Sequence, residues 1–233
     1  MLFSISEYAR QECIDSMDIP PERIVNISTA ANAVFRKVNV SVQDSQSLQR
    51  RYGIVKPFIM YTGGFDSRKN LPRLFEAYSL LPEHIRGSHQ LLIAGKATHN
   101  LRLWLKAQVV KFGIENHVID ADYVPDEDLV GLYNICALFV LPSLHEGFGL
   151  PALEAMSCGA PVIGSNTTSI PEVIGKRDAL FDPVDPKSIA EKMTQVLSDT
   201  GINTFLREHG LKQSKKFSWE ASARRALEAF ESM

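Results

Sequence analysis

Short apolar runs alternate with helix-like stretches along most of the chain. The runs predicted as strands are Leu2–Ser6, Arg23–Ile27, Phe58–Thr62, Gln90–Ala94, His117–Asp120, Ala137–Leu141, Pro161–Gly164 and Ala179–Phe181. Between them the spacing predicts helices over Glu7–Met17, Asn70–Leu81, Asn100–Phe112, Asp126–Asn134, Leu150–Ser157 and Pro186–Ser198. Phe58-Ile-Met-Tyr61 and Leu138-Phe-Val-Leu141 are apolar at every position, as strands covered by helices on both faces must be. The βαβα order predicts an α/β fold, a doubly wound, Rossmann-like parallel sheet flanked by helices. From residue 186 to 233 the pattern turns almost wholly helical, with breaks expected at Gly201 and near Phe217-Ser218. Ser218–Phe230 reads as an amphipathic helix capped by Ser218. Residues 29–47 are polar and irregular, which suggests a linker or surface loop.

A length of 233 residues, 45% of them hydrophobic, is enough to bury a substantial core. The formal net charge is -2 and no long basic run occurs, which argues against a nucleic-acid or anionic-membrane surface as the main role. An anionic ligand would therefore depend on a few local cations and backbone dipoles. Cys13, Cys136 and Cys158 form no metal-ligand spacing and fit reduced thiols in a cytoplasmic protein. The first residues lack the basic region and apolar run of a signal peptide, and no stretch is apolar enough to span a bilayer.

The most specific chemistry lies in Glu146-Gly-Phe-Gly-Leu-Pro-Ala-Leu-Glu154, which runs from a strand end into a helix. Ligands of open α/β sheets collect beyond the carboxyl ends of the strands, where Glu146 is delivered. Gly147 and Gly149 permit close backbone approach or conformations closed to other residues. A helix starting near Leu150 points free N–H groups at the same spot, where an anion gains roughly 0.3–1 kcal/mol. Glu154 follows about 7 Å further along the helix axis, at about 1.5 Å per residue. That separation suits a diphosphate with a sugar at each end, and each carboxylate can accept from two neighbouring hydroxyls.

A second cluster is Tyr61-Thr-Gly-Gly-Phe-Asp-Ser-Arg-Lys-Asn70, a strand, a turn at Gly63 and Gly64, and a helix expected to be capped by Asn70. Arg68 grips phosphate bidentately and Lys69 supplies a mobile point charge. Together they suit stabilisation of a departing nucleoside diphosphate, although two cations ahead of a helix are also a common solvated arrangement. In Asp122-Tyr-Val-Pro-Asp126, Tyr123 and Val124 are candidates for base contact, against edge packing for Tyr123 and helix capping for Asp126. Asp120-Ala-Asp122 imitates a metal-binding pair but has no third ligand in the sequence, so no metal site is expected. Ser169-Ile-Pro-Glu172 reads as a capping box, and His145 as packing beside the motif.

With its flanks from Pro142 to Val162, the Glu146–Glu154 string resembles the E-x7-E signature of retaining glycosyltransferases of family four. These enzymes have the two-Rossmann GT-B fold. The resemblance extends from Ile5-Ser6-Glu7 to the helix at Trp219, so residues 1–233 as a whole look like the C-terminal, donor-binding half, without the N-terminal acceptor domain. It implies Glu146 at the donor sugar and Glu154 at the nucleotide ribose. The backbone around Phe148, Gly149 and Leu150 would hold the diphosphate, and Lys69 and Arg68 would serve as a phosphate clamp. Many family members carry Arg where this chain has Gly64, so one phosphate contact is expected to be weaker.

The resulting expectation is a nucleotide-sugar-binding donor domain of a hexosyltransferase in polysaccharide or glycolipid synthesis. With the N-terminal domain it would transfer sugar, with retention, to the hydroxyl of a sugar or lipid-linked acceptor, using no metal or other cofactor. Alone it is expected to bind donor and turn over poorly. The Arg-Lys-Asn-Leu-Pro-Arg stretch, 68–73, looks like bacterial polysaccharide mannosyltransferases and favours GDP-mannose over a UDP-sugar. A binding-only module and a nucleotide-sugar epimerase of the same architecture are the alternatives. The reading places the chain in the cytoplasm and leaves open peripheral association of the full-length enzyme with the inner face of a membrane.

Overall fold

A computed structural model describes residues 1–232. In chain order the elements begin β1 (Leu2–Ser4), α1 (Glu7–Met17), β2 (Ile24–Asn26), α2 (Val42–Tyr52), β3 (Phe58–Thr62), α3 (Leu71–Ser79) and α4 (Glu83–Ser88). They continue with β4 (Gln90–Ala94), α5 (His99–Lys111), β5 (Val118–Asp122), α6 (Asp126–Ile135), β6 (Leu138–Leu141) and α7 (Leu150–Ser157). The last are β7 (Val162–Ser165), α8 (Ile170–Ile174), β8 (Leu180–Phe181), α9 (Pro186–Ser198), α10 (Thr200–Ser214) and α11 (Trp219–Glu231).

Six strands form one parallel sheet in the order β5-β4-β3-β6-β7-β8. Every residue of β3, β4, β6 and β7 is buried, as expected for apolar runs with helices on both faces. At the edge, β5 (VIDAD) is only partly covered, and its acidic residues fit that position. The strand order reverses between β3 and β6, the place where the loops leaving two adjacent strands diverge and leave a crevice. Both glycine-bearing segments identified in the sequence leave the sheet there.

Several local expectations are corrected. The first two strands lie outside the main sheet and pair only with each other, in parallel, from Leu2 with Ile24 to Ser4 with Asn26. Leu2 and Phe3 of β1 are exposed rather than sheet-covered, and Ser6 serves as the cap of α1. Within the supposed loop 29–47, α2 begins at Val42, because Ser41 accepts from Asp44 N as a helix cap. The Gly201 break falls instead at Asp199, whose carboxylate accepts from the N–H groups of Gly201 and Ile202 to start α10. The cap at Ser218 is as the sequence predicts: its hydroxyl accepts from Ala221 N.

Candidate functional site

β3 ends at the base of the crevice and Lys69 closes a short 3-10 turn, Ser67–Lys69, that follows it. Asp66 caps this turn by accepting from Arg68 N, and its carboxylate also holds the Arg68 side chain at 3.0 Å. The two cations therefore diverge. Arg68 stays exposed beside Asp66, while Lys69 turns inward and its Nζ donates to Glu146 Oε1 at 2.7 Å. Leu144 N donates to Arg68 O at 2.7 Å, which locks the loop after β3 to the loop after β6.

Glu146 is 8% exposed and held from several directions. Ser143 Oγ donates to the same carboxylate oxygen as Lys69, at 2.8 Å. Its backbone N–H donates to Thr168 Oγ1, and its carbonyl accepts from Ser169 Oγ at 2.9 Å. A carboxylate so fixed is pre-aimed, with little left to order when a ligand arrives. Ser169 thus belongs to this support rather than to a capping box: its side chain makes no bond to α8, and Glu172 instead accepts from Glu7 N at 2.9 Å. Ser143, Thr168 and Ser169 were not legible as supports, since only folding brings 168–169 against 146.

Gly149 stands at the N-cap of α7 with φ +103°, a left-handed conformation that a side chain would strain, and Pro151 lies in the first turn. Gly147 needs no such freedom: a Cβ there would meet only Ile5 Cδ1, at 3.6 Å. Its carbonyl accepts from Ser6 Oγ at 2.7 Å, which ties α1 to the motif. Phe148 is buried and packs edge-on against Phe217 at 5.4 Å, while Leu150 is partly exposed at the helix start. Phe148 thus anchors the loop, and its ring faces the core.

Glu154 lies one turn into α7, where burial pushes its carboxyl up to about 7, opposed by a hydrogen bond from Tyr133 and aided by Asp126. The Tyr133 hydroxyl sits 3.2 Å from Glu154 Oε2 and 2.7 Å from Thr62 Oγ1. Neither Tyr133 nor Thr62 stood out in the sequence, because both sit in apolar runs that read as core.

Beside these groups is a cavity of about 370 Å³ lined by Thr62, Gly63, Gly64, Gly95, Lys96, Tyr123, Val124 and Asp126. It brings the Gly63-Gly64 turn beside the Tyr123-Val124 loop, with Val124 buried and Tyr123 exposed. Gly95 permits the approach of two loops, since a Cβ there would lie 2.0 Å from Gly63 O. Lys96 and Gly95 carry no signal of their own in the sequence. Asp126 is the first residue of α6 rather than its cap, a position taken by Pro125. Asn70 is likewise no side-chain cap. It adopts φ 60° and turns its amide inward to donate to Pro142 O and Pro183 O at 2.9 and 2.8 Å. His145 packs edge-on to Tyr8, and its Nε2 lies 2.8 Å from Glu12 Oε1. Asp120 and Asp122 both pair with Arg102, Asp120 at 2.6 Å. The Arg102 guanidinium thus balances both carboxylates.

Comparison with known proteins decides the family, because a model described as glycosyl transferases group 1 matches residues 45–217. The chain belongs to the group 1 glycosyl transferases. It is 41% identical over 230 residues to the serotype-specific mannosyltransferase WbdA of Escherichia coli, spanning 98% of this chain and 28% of that protein. It is 36% identical to the O-antigen chain mannosyltransferase B of Escherichia coli, spanning 99% of this chain and 60% of that protein. This chain therefore spans less than two thirds of either relative. Among solved structures, Anabaena Alr3699/HepE in complex with UDP and glucose superposes with TM-score 0.86 at 18% identity, over all of this chain and 63% of that one. The glycosyl transferase domain thus has the GT-B-type Rossmann architecture expected from its sequence.

Proposed function

We propose that this domain binds the nucleotide-sugar donor of a mannosyltransferase that builds a bacterial polysaccharide. One observation supports the reading: at the reversal of strand order Lys69 Nζ donates to Glu146 Oε1 at 2.7 Å, α7 starts at Leu150 shortly after, and Glu154 on that helix is tied through Tyr133 to Thr62 at the end of β3. The mannosyltransferase names of its relatives, and a structural neighbour solved with UDP and glucose, support both the donor class and the sugar.

In this reading the nucleobase enters the cavity beside Val124 and Tyr123, and the ribose hydroxyls bond to Glu154. The diphosphate spans the N-terminus of α7, near the backbone of Phe148, Gly149 and Leu150, where unpaired N–H groups favour negative charge. Lys69 is shared between Glu146 and the phosphate, and the exposed Arg68 swings in from Asp66 as a second cation. Glu146 accepts from donor-sugar hydroxyls and orients the ring.

The acceptor hydroxyl attacks C1 from the face the diphosphate leaves, giving retention. The new C1–O bond forms as the C1–O bond to phosphate breaks, and the hydroxyl proton passes to the departing phosphate oxygen. Lys69, Arg68 and the helix dipole stabilise the charge that develops there. No metal or other cofactor takes part in this scheme. GDP-mannose is the preferred donor over a UDP-sugar. The sugar or lipid-linked acceptor is held by an N-terminal domain of the full-length enzyme, which acts in the cytoplasm at the inner face of the membrane. No helix among the described residues is long and apolar enough to cross a membrane.

Titrating GDP, UDP and ADP into the protein by calorimetry tests the reading. Saturable binding of a guanine or uracil diphosphate, weakened by Lys69→Ala and Glu154→Ala, is expected. Binding by both variants as tight as by the unmodified protein would overturn it. Transfer of mannose by the isolated chain would overturn the requirement for an acceptor domain.

A further inference from the structure

Tyr133 sits in the last turn of α6, fully buried, with the rings of Phe35 and Phe139 edge-on at 5.9 and 5.5 Å. Such a position suits Phe, and a buried hydroxyl needs a reason to be there. The hydroxyl lies between Thr62 Oγ1, at the carboxyl end of β3, and Glu154 Oε2, on α7. Each hydroxyl owns one proton, and an ionised carboxylate only accepts. All three groups are satisfied in one arrangement: Thr62 donates to Tyr133, and Tyr133 donates to Glu154.

Among the described residues Tyr133 is the donor that holds a Glu154 carboxylate oxygen. We infer that Tyr133, backed by Thr62, is a positioning residue that ties down one oxygen of Glu154 and leaves the other for the ribose diol of the donor. This rests on the assignment of Glu154 to the ribose. The buried relay links the end of the strand that leads into the phosphate loop to the helix at whose start the diphosphate is placed. It therefore fixes the ribose acceptor relative to the phosphate site.

The charged and titratable groups around Glu154 bear on the outcome. On α6 these are Tyr133 and Asp126, and one turn beyond Glu154 on the chain is Cys158. Burial keeps the Tyr133 phenol far above its ordinary value and pushes the Cys158 thiol up to about 12, so both stay neutral. Burial and Asp126 raise Glu154, whereas the Tyr133 hydrogen bond lowers it. Without that bond Glu154 would hold its proton to higher pH and lose half of its accepting capacity.

The test compares GDP-mannose and UDP-glucose, whose doubly esterified phosphates do not titrate near neutrality. Calorimetric affinities across pH are measured for the unmodified protein, Tyr133→Phe, Thr62→Val, Glu154→Gln and the Tyr133→Phe/Glu154→Gln pair. For the donor that binds, Tyr133→Phe is expected to lower affinity about 5- to 10-fold, as loss of one hydrogen bond to a charged group implies. It also moves the acid limb of the pH profile upward. Thr62→Val acts in the same direction but less, and Tyr133→Phe adds nothing to Glu154→Gln. A donor analogue lacking both ribose hydroxyls binds the unmodified protein and Tyr133→Phe alike. A Tyr133→Phe protein that melts lower but keeps the affinity and pH profile of the unmodified chain overturns the inference while sparing the ribose assignment. Unchanged affinity in Glu154→Gln overturns the ribose assignment and this inference with it.

Discussion

Lys69 Nζ lies 2.7 Å from Glu146 Oε1, although 77 positions separate the two residues in the chain. The pair bridges the loops leaving β3 and β6, the two strands between which the sheet order reverses. Its side chains are only 17% and 11% exposed, so each charge depends on the other for compensation. In the proposed donor complex a phosphate beside Lys69 would share this ammonium with Glu146.

Removing one member of that pair should destabilise the fold, because the remaining charge is largely buried. Lys69→Met is expected to cost roughly 3 kcal/mol, as for other broken buried pairs, whereas Lys69→Met/Glu146→Leu should cost less. Urea unfolding of the two proteins checks the order. A double variant less stable than Lys69→Met would refute the argument.

Glu154 makes the free protein sensitive to pH. Its carboxyl is raised from 4.5 to about 7 in the fold, so the folded state binds the proton more tightly than the unfolded chain does. Stability contributed by this group is present below about pH 4.5 and is lost as pH rises towards 7, by at most about 3 kcal/mol. Glu154→Gln should therefore raise the melting temperature above neutrality and have little effect in acid. A gain of the same size at both ends of the pH range would exclude this origin.

The two glycines of the motif should respond differently to a methyl group. Gly149 has φ +103°, so Gly149→Ala is expected to cost roughly 1–3 kcal/mol and to weaken diphosphate binding at the start of α7. Gly147→Ala meets only Ile5 Cδ1 at 3.6 Å and should be tolerated. Thermal melts and nucleotide titrations of both variants give the comparison, and equal effects would contradict it.

Gly64 leaves room for the arginine that the resemblance to family-four enzymes implies at this position. A Cβ there would have Asp66 Oδ2 at 3.4 Å and Lys69 Cε at 4.0 Å as its nearest neighbours. Gly64→Arg should therefore fold normally and bind nucleoside diphosphate about 3- to 10-fold more tightly, as one added charge-assisted contact allows. Weaker binding with an intact fold would show that this residue points away from the phosphates.

What the sequence determined was everything governed by short-range pattern. Runs apolar on both faces marked β3 and β6, and Gly149 followed by Leu150-Pro151 marked the start of α7 within the motif. Glu146, Glu154, Lys69 and the glycine turn were visible because their residue types and spacing are unusual in loops. The tertiary structure alone decided which of them meet. Adjacent cations at 68 and 69 look equivalent in sequence, yet the turn capped by Asp66 sends one outward and the other to Glu146. Asn70 and Ser169 look like helix caps, but they satisfy carbonyls in neighbouring loops that come near only when β3, β6 and β7 align. β1 and β2 resemble members of the main sheet, yet pair only with each other. Tyr133 and Thr62 read as core until folding brings the Thr62 hydroxyl to Tyr133 and the Tyr133 hydroxyl to Glu154. Periodicity reports how a residue sits in its own element. Partners drawn from distant elements are set by strand order and packing, which no local window contains.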